Sequence, residues 1–493
     1  MEFKIKLLKW SAGLPVAMIN SKTASKIGVH TNERILLKTI SRKPLEVSTI
    51  IDIVEKIVKP GEIAVSSELK KHLGLRVGQK VEVDLISAPD SLNFIKKKLD
   101  GGRLSEKEID SIIKDVVNNS LSDSEVALFV SANYNHGMNM EETKYLIKSI
   151  VKFGNSLNLK NKNMVDKHSI GGIPGNRTTP IIVSICSAAG LTFPKTSSRA
   201  ITTSAGTADV IETIARVEFS MDEVKRIIHK TNACMVWGGS LGMVPADSKI
   251  IKVEKLLNID PESQLLASIM AKKLAVGSKY ILIDIPYGKT AKVTRKTALR
   301  LKKKFEYLGG YFKKEIKVVL TPANEPVGRG IGPALELTDV INILDPKKKG
   351  PRDLEQKALF LSAQLLEMGG KAEKEKGIIL AEKILDSGKA FKKFKEIIKA
   401  QEGKVNGLRV AEYKRDILSK RTGEVIEIDN KKINLLARTS GCPTDKCAGL
   451  YLHAKTGDPL KKRDKILTIY AESPMRLKQA VTLYKKIRPI MIK

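Results

Sequence analysis

Twelve consecutive residues, Val165 to Asn176, hold Lys167, His168, Ser169 and three glycines, Gly171, Gly172 and Gly175. This combination suits an oxyanion. Glycines let backbone N–H groups approach an anion closely, Lys167 supplies a point charge and Ser169 a donor. The apolar run Pro180–Cys186 follows at once and reads as a helix whose positive N-terminus faces the same spot. Phosphate is the expected ion. His168 either contacts sugar or phosphate, or supports the turn. A Gly-rich strand-to-helix turn on its own is more often ordinary structure than a site, so the rest of the chain must decide.

Three further stretches carry candidate chemistry. Ser197, Ser198, Thr202, Thr203, Ser204 and Thr207 lie within eleven positions, together with Arg199. Such hydroxyls hydrogen-bond phosphate or, more commonly, their own backbone. Asp260-Pro261-Glu262-Ser263 offers a carboxyl group that either caps a helix starting at Pro261 or, if burial raises its pKa, donates a proton. Gly288-Lys289-Thr290-Ala291-Lys292 places two lysines in a short turn. Gly328-Arg329-Gly330-Ile331-Gly332 is no dinucleotide fingerprint, because its last glycine comes too early and no acidic partner stands at the expected spacing.

These stretches must be positioned by several domains, for which 493 residues suffice. Residues 1–86 read as short strands with one helix, Ser67–Leu73, and form a small double-psi-like β-barrel domain. Residues 87–160 turn helical: Ser105 stands three before Glu108, a capping box, and Asn139 is an N-cap for a helix near 139–154. From 161 strands alternate with helices, giving an α/β domain with a mixed sheet over 161–250 and 277–410. Its strands include Tyr280–Ile285 and Lys317–Thr321. Residues 251–276 return to helical periodicity. Residues 411–493 form a C-terminal α+β, barrel-sandwich-like module.

Lys and Arg outnumber Asp and Glu by 87 to 54, a net charge of +33, which attracts anions in general. The basic residues are dispersed, with no aromatic–basic platform for nucleic acid, and a heat-adapted composition accounts for the excess. Aromatics make up 5%, so the cores rest on aliphatic residues. Cys186 and Cys234 read as core residues. Cys442 and Cys447 resemble half a zinc site that nothing completes, so no metal is expected. Cysteine usage and the lack of a leader or membrane-spanning run point to a soluble cytoplasmic protein.

The Lys167–Gly172 run, Ser197–Asp209 and Pro326–Glu336 together resemble the signature of the thymidine/pyrimidine-nucleoside phosphorylase family, in the family's order, over about residues 88 to 493. The resemblance implies phosphorolysis of an N-glycosidic bond with phosphate as nucleophile and no cofactor. It implies that Lys167 and Ser169 bind phosphate. Gly172, Ser198, Arg199, Ala200, Ile201, Thr202, Thr203, Thr207, Ser268 and Lys292 bind substrate, and Asp260 donates a proton to the leaving base. It further implies that 251–276 rejoins the helical domain, that the active site lies in a cleft closed by domain motion, and that the helical domain makes a homodimer or larger oligomer.

Three departures from the pyrimidine pattern distinguish this chain. Ile251–Ile259 lacks the arginine that grips pyrimidine carbonyls. Lys289 and Lys292 replace neutral residues of a Gly-Ser-Gly-Ala-Phe/Leu stretch on the sugar's 5′ side, where a nucleoside needs no charge but a nucleoside monophosphate does. Ile173-Pro174-Gly175-Asn176 replaces a Val-Gly-Asp and loses a carboxylate. With the front barrel, these resemble the archaeal AMP phosphorylase branch: AMP and inorganic phosphate giving adenine and ribose 1,5-bisphosphate, with CMP and UMP as further candidates. The nearest rival is a thymidine or pyrimidine nucleoside phosphorylase. Anthranilate phosphoribosyltransferase shares the family's fold but needs Mg²⁺ and a diphosphate substrate, and no paired acidic motif is present to hold the metal. An RNA- or protein-binding adaptor would leave Lys167–Gly172 unexplained. No nucleic acid, membrane or cofactor is expected as a partner.

Overall fold

The helix starts marked by local chemistry form where the residues place them. Ser105 accepts from the Glu108 N–H at 3.4 Å while the Glu108 carboxylate accepts from the Ser105 N–H at 2.7 Å, opening the helix Glu106–Val117. Ser122 and Asn139 open Asp123–His136 and Met140–Lys152 in the same reciprocal way. The computed structural model describes residues 1–8, 16–31, 33–159, 163–200 and 203–493, and divides into two units.

The first unit comprises Met1–Gly154 and Pro245–Ser268. Its N-terminal part is a closed six-stranded barrel. Strand Glu2–Leu7 pairs in parallel with Glu62–Val65, and Val16–Asn20 with Glu46–Val54, while the other pairings are antiparallel. Alternating Ile35, Leu37, Ile51, Ile63 and Val81 fill it. Arg34 ties the barrel to the helical bundle: its Nε donates to the Ser120 carbonyl at 3.0 Å and its guanidinium pairs with Glu125. Inside the bundle Lys98 and Glu142 form a buried ion pair of 2.8 Å. The later segment adds Pro245–Leu257 and the first part of the helix Glu262–Val276, separated by Asn258 at φ 54°.

The second unit comprises Asn155–Val244 and Ile269–Lys493. Strands Val165–Ser169, Tyr280–Tyr287 and Glu315–Pro322 form one sheet, and Phe193–Ser197 pairs with Ala233–Trp237. A bridge between Met164 and Thr192 connects the two groups. Every one of these pairings is parallel, so the mixed sheet expected from sequence is corrected. The reason is connectivity: each strand is followed by at least one helix, such as Thr178–Ala188 or Arg295–Tyr311, and such crossovers return the chain in the same direction. Buried Ile181, Ile182, Ile185, Leu282, Leu337, Leu361 and Leu365 make the core.

The C-terminal residues build two small antiparallel sheets and the helices Asn430–Thr439 and Pro474–Ile487. One sheet takes in Gly330–Ile331 from the preceding α/β segment, paired with Gly449–Leu452. The four cysteines are free, and burial pushes the Cys186, Cys234 and Cys442 thiols up. Among the described residues no helix is long and apolar enough to cross a membrane.

Candidate active site

In a parallel sheet the loops that bind ligands lie beyond the carboxyl ends of the strands. The stretches singled out in the second unit lie there. Ile170–Arg177 follows Val165–Ser169, the 198–206 loop follows Phe193–Ser197, and the 288–293 turn follows Tyr280–Tyr287. Register places Lys167 beside Leu282 and Ser169 beside Asp284.

The Ile170–Arg177 turn has the backbone its glycines allow. Gly172 lies at φ 91°, and a Cβ on it would come within 2.8 Å of the Lys292 Cβ. Gly175 lies at φ 69°, where a Cβ would be 2.2 Å from the Val327 carbonyl oxygen. The turn therefore packs directly on Lys292 and on the 326–330 segment. The Lys292 ammonium lies 3.5 Å from the Ile170 carbonyl oxygen. Lys289 is different: it is exposed and pairs with Glu427 at 2.8 Å. Of the two added lysines, Lys292 is the one set against the anion turn.

Lys167 is buried, and among the described residues its ammonium has one hydrogen bond, to the Thr178 hydroxyl at 3.0 Å, and no ion-pair partner. Its neighbours do have partners. Lys195 and Lys273 share Asp166 at 3.4 and 2.6 Å. Lys357 pairs with Asp284 at 3.2 Å and Arg177 with Glu336 at 2.7 Å. Five basic side chains thus stand with three carboxylates beside the turn. Desolvation pulls Lys167 down to about 7. Asp284 opposes this, while Lys357, Lys195 and Arg177 reinforce it. Burial, then the surrounding lysines beginning with Lys273, hold His168 well below its usual range and so neutral. The Ser169 and Ser204 hydroxyl oxygens and His168 Nδ1 are buried without a hydrogen-bond partner among the described residues. Buried polar atoms of this kind are uncommon away from functional sites.

The 198–207 segment divides. Arg199 is engaged by acids: its guanidinium reaches Glu212 at 2.5 and 2.7 Å, Glu218 at 2.9 Å and Asp209 at 3.5 Å, and lies over the Trp237 ring. Hydrogen bonding to Glu212 raises the Arg199 pKa, and the same contact, opposed by desolvation and aided by Lys446, draws Glu212 down to about 2. Arg199 thus shapes the loop, helped by Asp209, which accepts from the Ala200 and Gly206 N–H groups at 2.7 and 2.9 Å. The Thr203 hydroxyl donates to the Ala205 carbonyl at 2.9 Å, and the Thr207 oxygen accepts from Arg177 at 2.8 Å. Ser198 is exposed. Ile201 and Thr202 lie outside the described residues.

Asp260 and Ser268 belong to the first unit. Asp260 is exposed, where the reading of the sequence made its role as proton donor conditional on burial. Sequence reasoning missed Gln264, four residues after Asp260 and four before Ser268. It is 4% exposed, and neither of its amide atoms has a hydrogen-bond partner among the described residues. The i, i+4 spacing was the available signal. Also missed were Arg177 and the amides Asn430 and Asn434, which no local pattern marks.

Family models match three stretches: a glycosyl transferase family helical bundle domain over residues 92–154, a glycosyl transferase family a/b domain over 161–391, and a pyrimidine nucleoside phosphorylase C-terminal domain over 424–491. AMP phosphorylase of Pyrococcus furiosus is 42% identical over 100% of this chain and 98% of its own length. The chain belongs to the AMP phosphorylase family. The Thermococcus sibiricus member is 40% identical over 100% of this chain and 98% of its own, and that of Methanococcoides burtonii 39% over 100% and 97%. Anthranilate phosphoribosyltransferase of Thermus thermophilus superposes with a TM-score of 0.52 at 16% identity, over 63% of this chain and 99% of that one, a likeness of fold alone.

Proposed function

We propose that the chain cleaves AMP with inorganic phosphate, releasing adenine and ribose 1,5-bisphosphate, and that CMP and UMP are further substrates. The observation that carries this is the contact between Gly172 and Lys292. This supports a 5′-phosphate at Lys292, beside a turn whose Lys167, with no ion-pair partner among the described residues, and Ser169, with no hydrogen-bond partner among them, suit inorganic phosphate. A phosphate oxygen attacks the anomeric carbon as the bond to the base breaks, and the bonding pair leaves on the base, which takes up a proton. Asp260 donates that proton, and Ser268 and Gln264 on the following helix face read the base. Thr203, Thr207 and the Ser198–Ala200 backbone are assigned, with Lys167 and Ser169, to the inorganic-phosphate side.

The mixture of parallel and antiparallel pairing in the N-terminal barrel supports a double-psi assignment. Exposed Leu128, Tyr134, Leu256 and Leu257 in the first unit support self-association into a homodimer or larger oligomer. The four unpaired cysteines support a reducing, cytoplasmic setting.

The test is incubation with inorganic phosphate and, separately, AMP, CMP, UMP, adenosine, thymidine and uridine, with detection of free base. Release from the monophosphates alone is expected. Release from thymidine or uridine at equal rates would overturn the 5′-phosphate assignment.

A further inference from the structure

The helix Asn430–Thr439 belongs to the C-terminal module, far in sequence from the anion turns, yet two of its side chains end in them. Asn430 and Asn434 are four residues apart, so they share one helix face, and both are buried. Asn434 Oδ1 accepts from the Ser204 N–H at 3.0 Å, and its Nδ2 donates to the Gly172 carbonyl at 3.3 Å. One amide therefore joins the hydroxyl-rich loop to the phosphate turn. Asn430 Nδ2 donates to the Thr290 hydroxyl oxygen at 3.0 Å and to the Ala323 carbonyl at 3.1 Å, and the Asn430 backbone N–H reaches the same Thr290 oxygen at 3.2 Å. Thr290 stands two residues before Lys292. The helix is itself anchored, because Asp429 caps it by accepting from the Lys431 and Lys432 N–H groups at 2.8 and 3.0 Å.

We propose that this helix is a two-point clamp, in which Asn434 positions the inorganic-phosphate turn and Asn430 positions the Lys292 loop that takes the 5′-phosphate. Neither asparagine touches substrate; each is a positioning residue. The geometry requires both ends of the Asn434 amide. A carboxylate would keep the acceptor for Ser204 but turn an acceptor toward the Gly172 carbonyl, and a leucine of similar size would satisfy neither group. The proposal rests on the assignment of the two anion sites given above.

The experiment is steady-state kinetics of the full chain with AMP and phosphate varied independently, for Asn434→Leu, Asn434→Asp and Asn430→Leu. Lys431→Ala, on an exposed residue of the same helix, serves as control. Both Asn434 variants should raise KM for phosphate about tenfold or more while KM for AMP moves less than about twofold, and Asn430→Leu should show the opposite split. Equal changes in both constants, or none, would overturn the clamp. If a leucine variant does not fold, Asn434→Asp decides the first point. Thr290→Val, which removes the acceptor from the other side, decides the second, and it should raise KM for AMP alone. Base release by the unmodified protein tests the reading of the site; only the split between the two KM values tests the clamp.

Discussion

Anion binding at the turn should weaken as pH rises through neutrality, because the cation that faces the anion loses its proton there. Lys167 is drawn down to about 7 in the free protein and has no carboxylate partner among the described residues. A bound dianion favours the charged lysine and raises that value again. Binding above pH 7 must therefore take up a proton. Sulfate is the clean probe, since it keeps its charge across this range whereas phosphate does not. The charged fraction of Lys167 falls to roughly one tenth by pH 8, so Kd for sulfate should rise about tenfold between pH 6 and 8 and about a hundredfold by pH 9. Titration calorimetry in two buffers of different ionisation enthalpy should show uptake of about one proton near pH 8. Lys273 also lies at about 7, but its ammonium is 2.6 Å from Asp166, and Lys273→Met should retain most of the pH dependence. A Kd that stays flat from pH 6 to 9 would refute the reasoning, as would undiminished sulfate binding by Lys167→Met at pH 6.

Other expectations follow from single contacts. The folded value for Lys167 lies below the ordinary lysine value of 10.5, so the unfolded chain holds more protons between about pH 7 and 10.5. Its burial costs stability fully below pH 7, and this is relieved as pH rises; Lys167→Met should raise Tm at pH 6, read by scanning calorimetry, while abolishing base release. Gly172→Ala forces a side chain into φ 91° and against Lys292, and should lower kcat/KM about a hundredfold, with circular dichroism confirming the fold. Asp260→Asn should lower kcat for AMP by about 10²- to 10⁴-fold with little change in KM, in single-turnover and steady-state assays. Glu212 is held down at about 2 chiefly by Arg199, so its contribution to stability is present above the usual carboxylate range and lost as pH falls toward 2. Arg199→Ala should remove that stretch of acid sensitivity, seen as a shallower fall of Tm between pH 5 and 3.

What could be read from the chain was what local chemistry decides. Ser105 and Asn139 cap their helices because the Glu that completes each box lies three residues on, and the glycines at 171 and 172 signal their turn by type alone. The direction of the sheet was misread because pairing is set by the crossovers between strands and not by any pattern within one; Tyr280 stands beside both Glu315 and Val165. Lys289 is passed over for Lys292 in the sequence, though both stand in one short turn. They part physically when Glu427 folds back to claim the first and Gly172 makes room for the second. Arg199 reads as a free cation until Glu212 and Glu218 are seen around it. Asn434 has no signal at all, since its partners stand 230 and 262 positions away.

The surplus of cations around the phosphate turn has a consequence for how the protein behaves in the hand. Lys167, Lys195, Lys273, Lys357 and Arg177 stand with Asp166, Asp284 and Glu336 beside that turn, a setting that favours an oxyanion. The oxyanion that suits this setting is the reagent of the proposed reaction. Phosphate would then act as a structural ion as well as a nucleophile, and at a hundredfold excess over its Kd it would add about 2.7 kcal/mol to stability. A preparation stripped of oxyanions would be the softest form of the molecule. Because one binding event would serve both roles, the firmness of the fold would be coupled to the supply of the substrate.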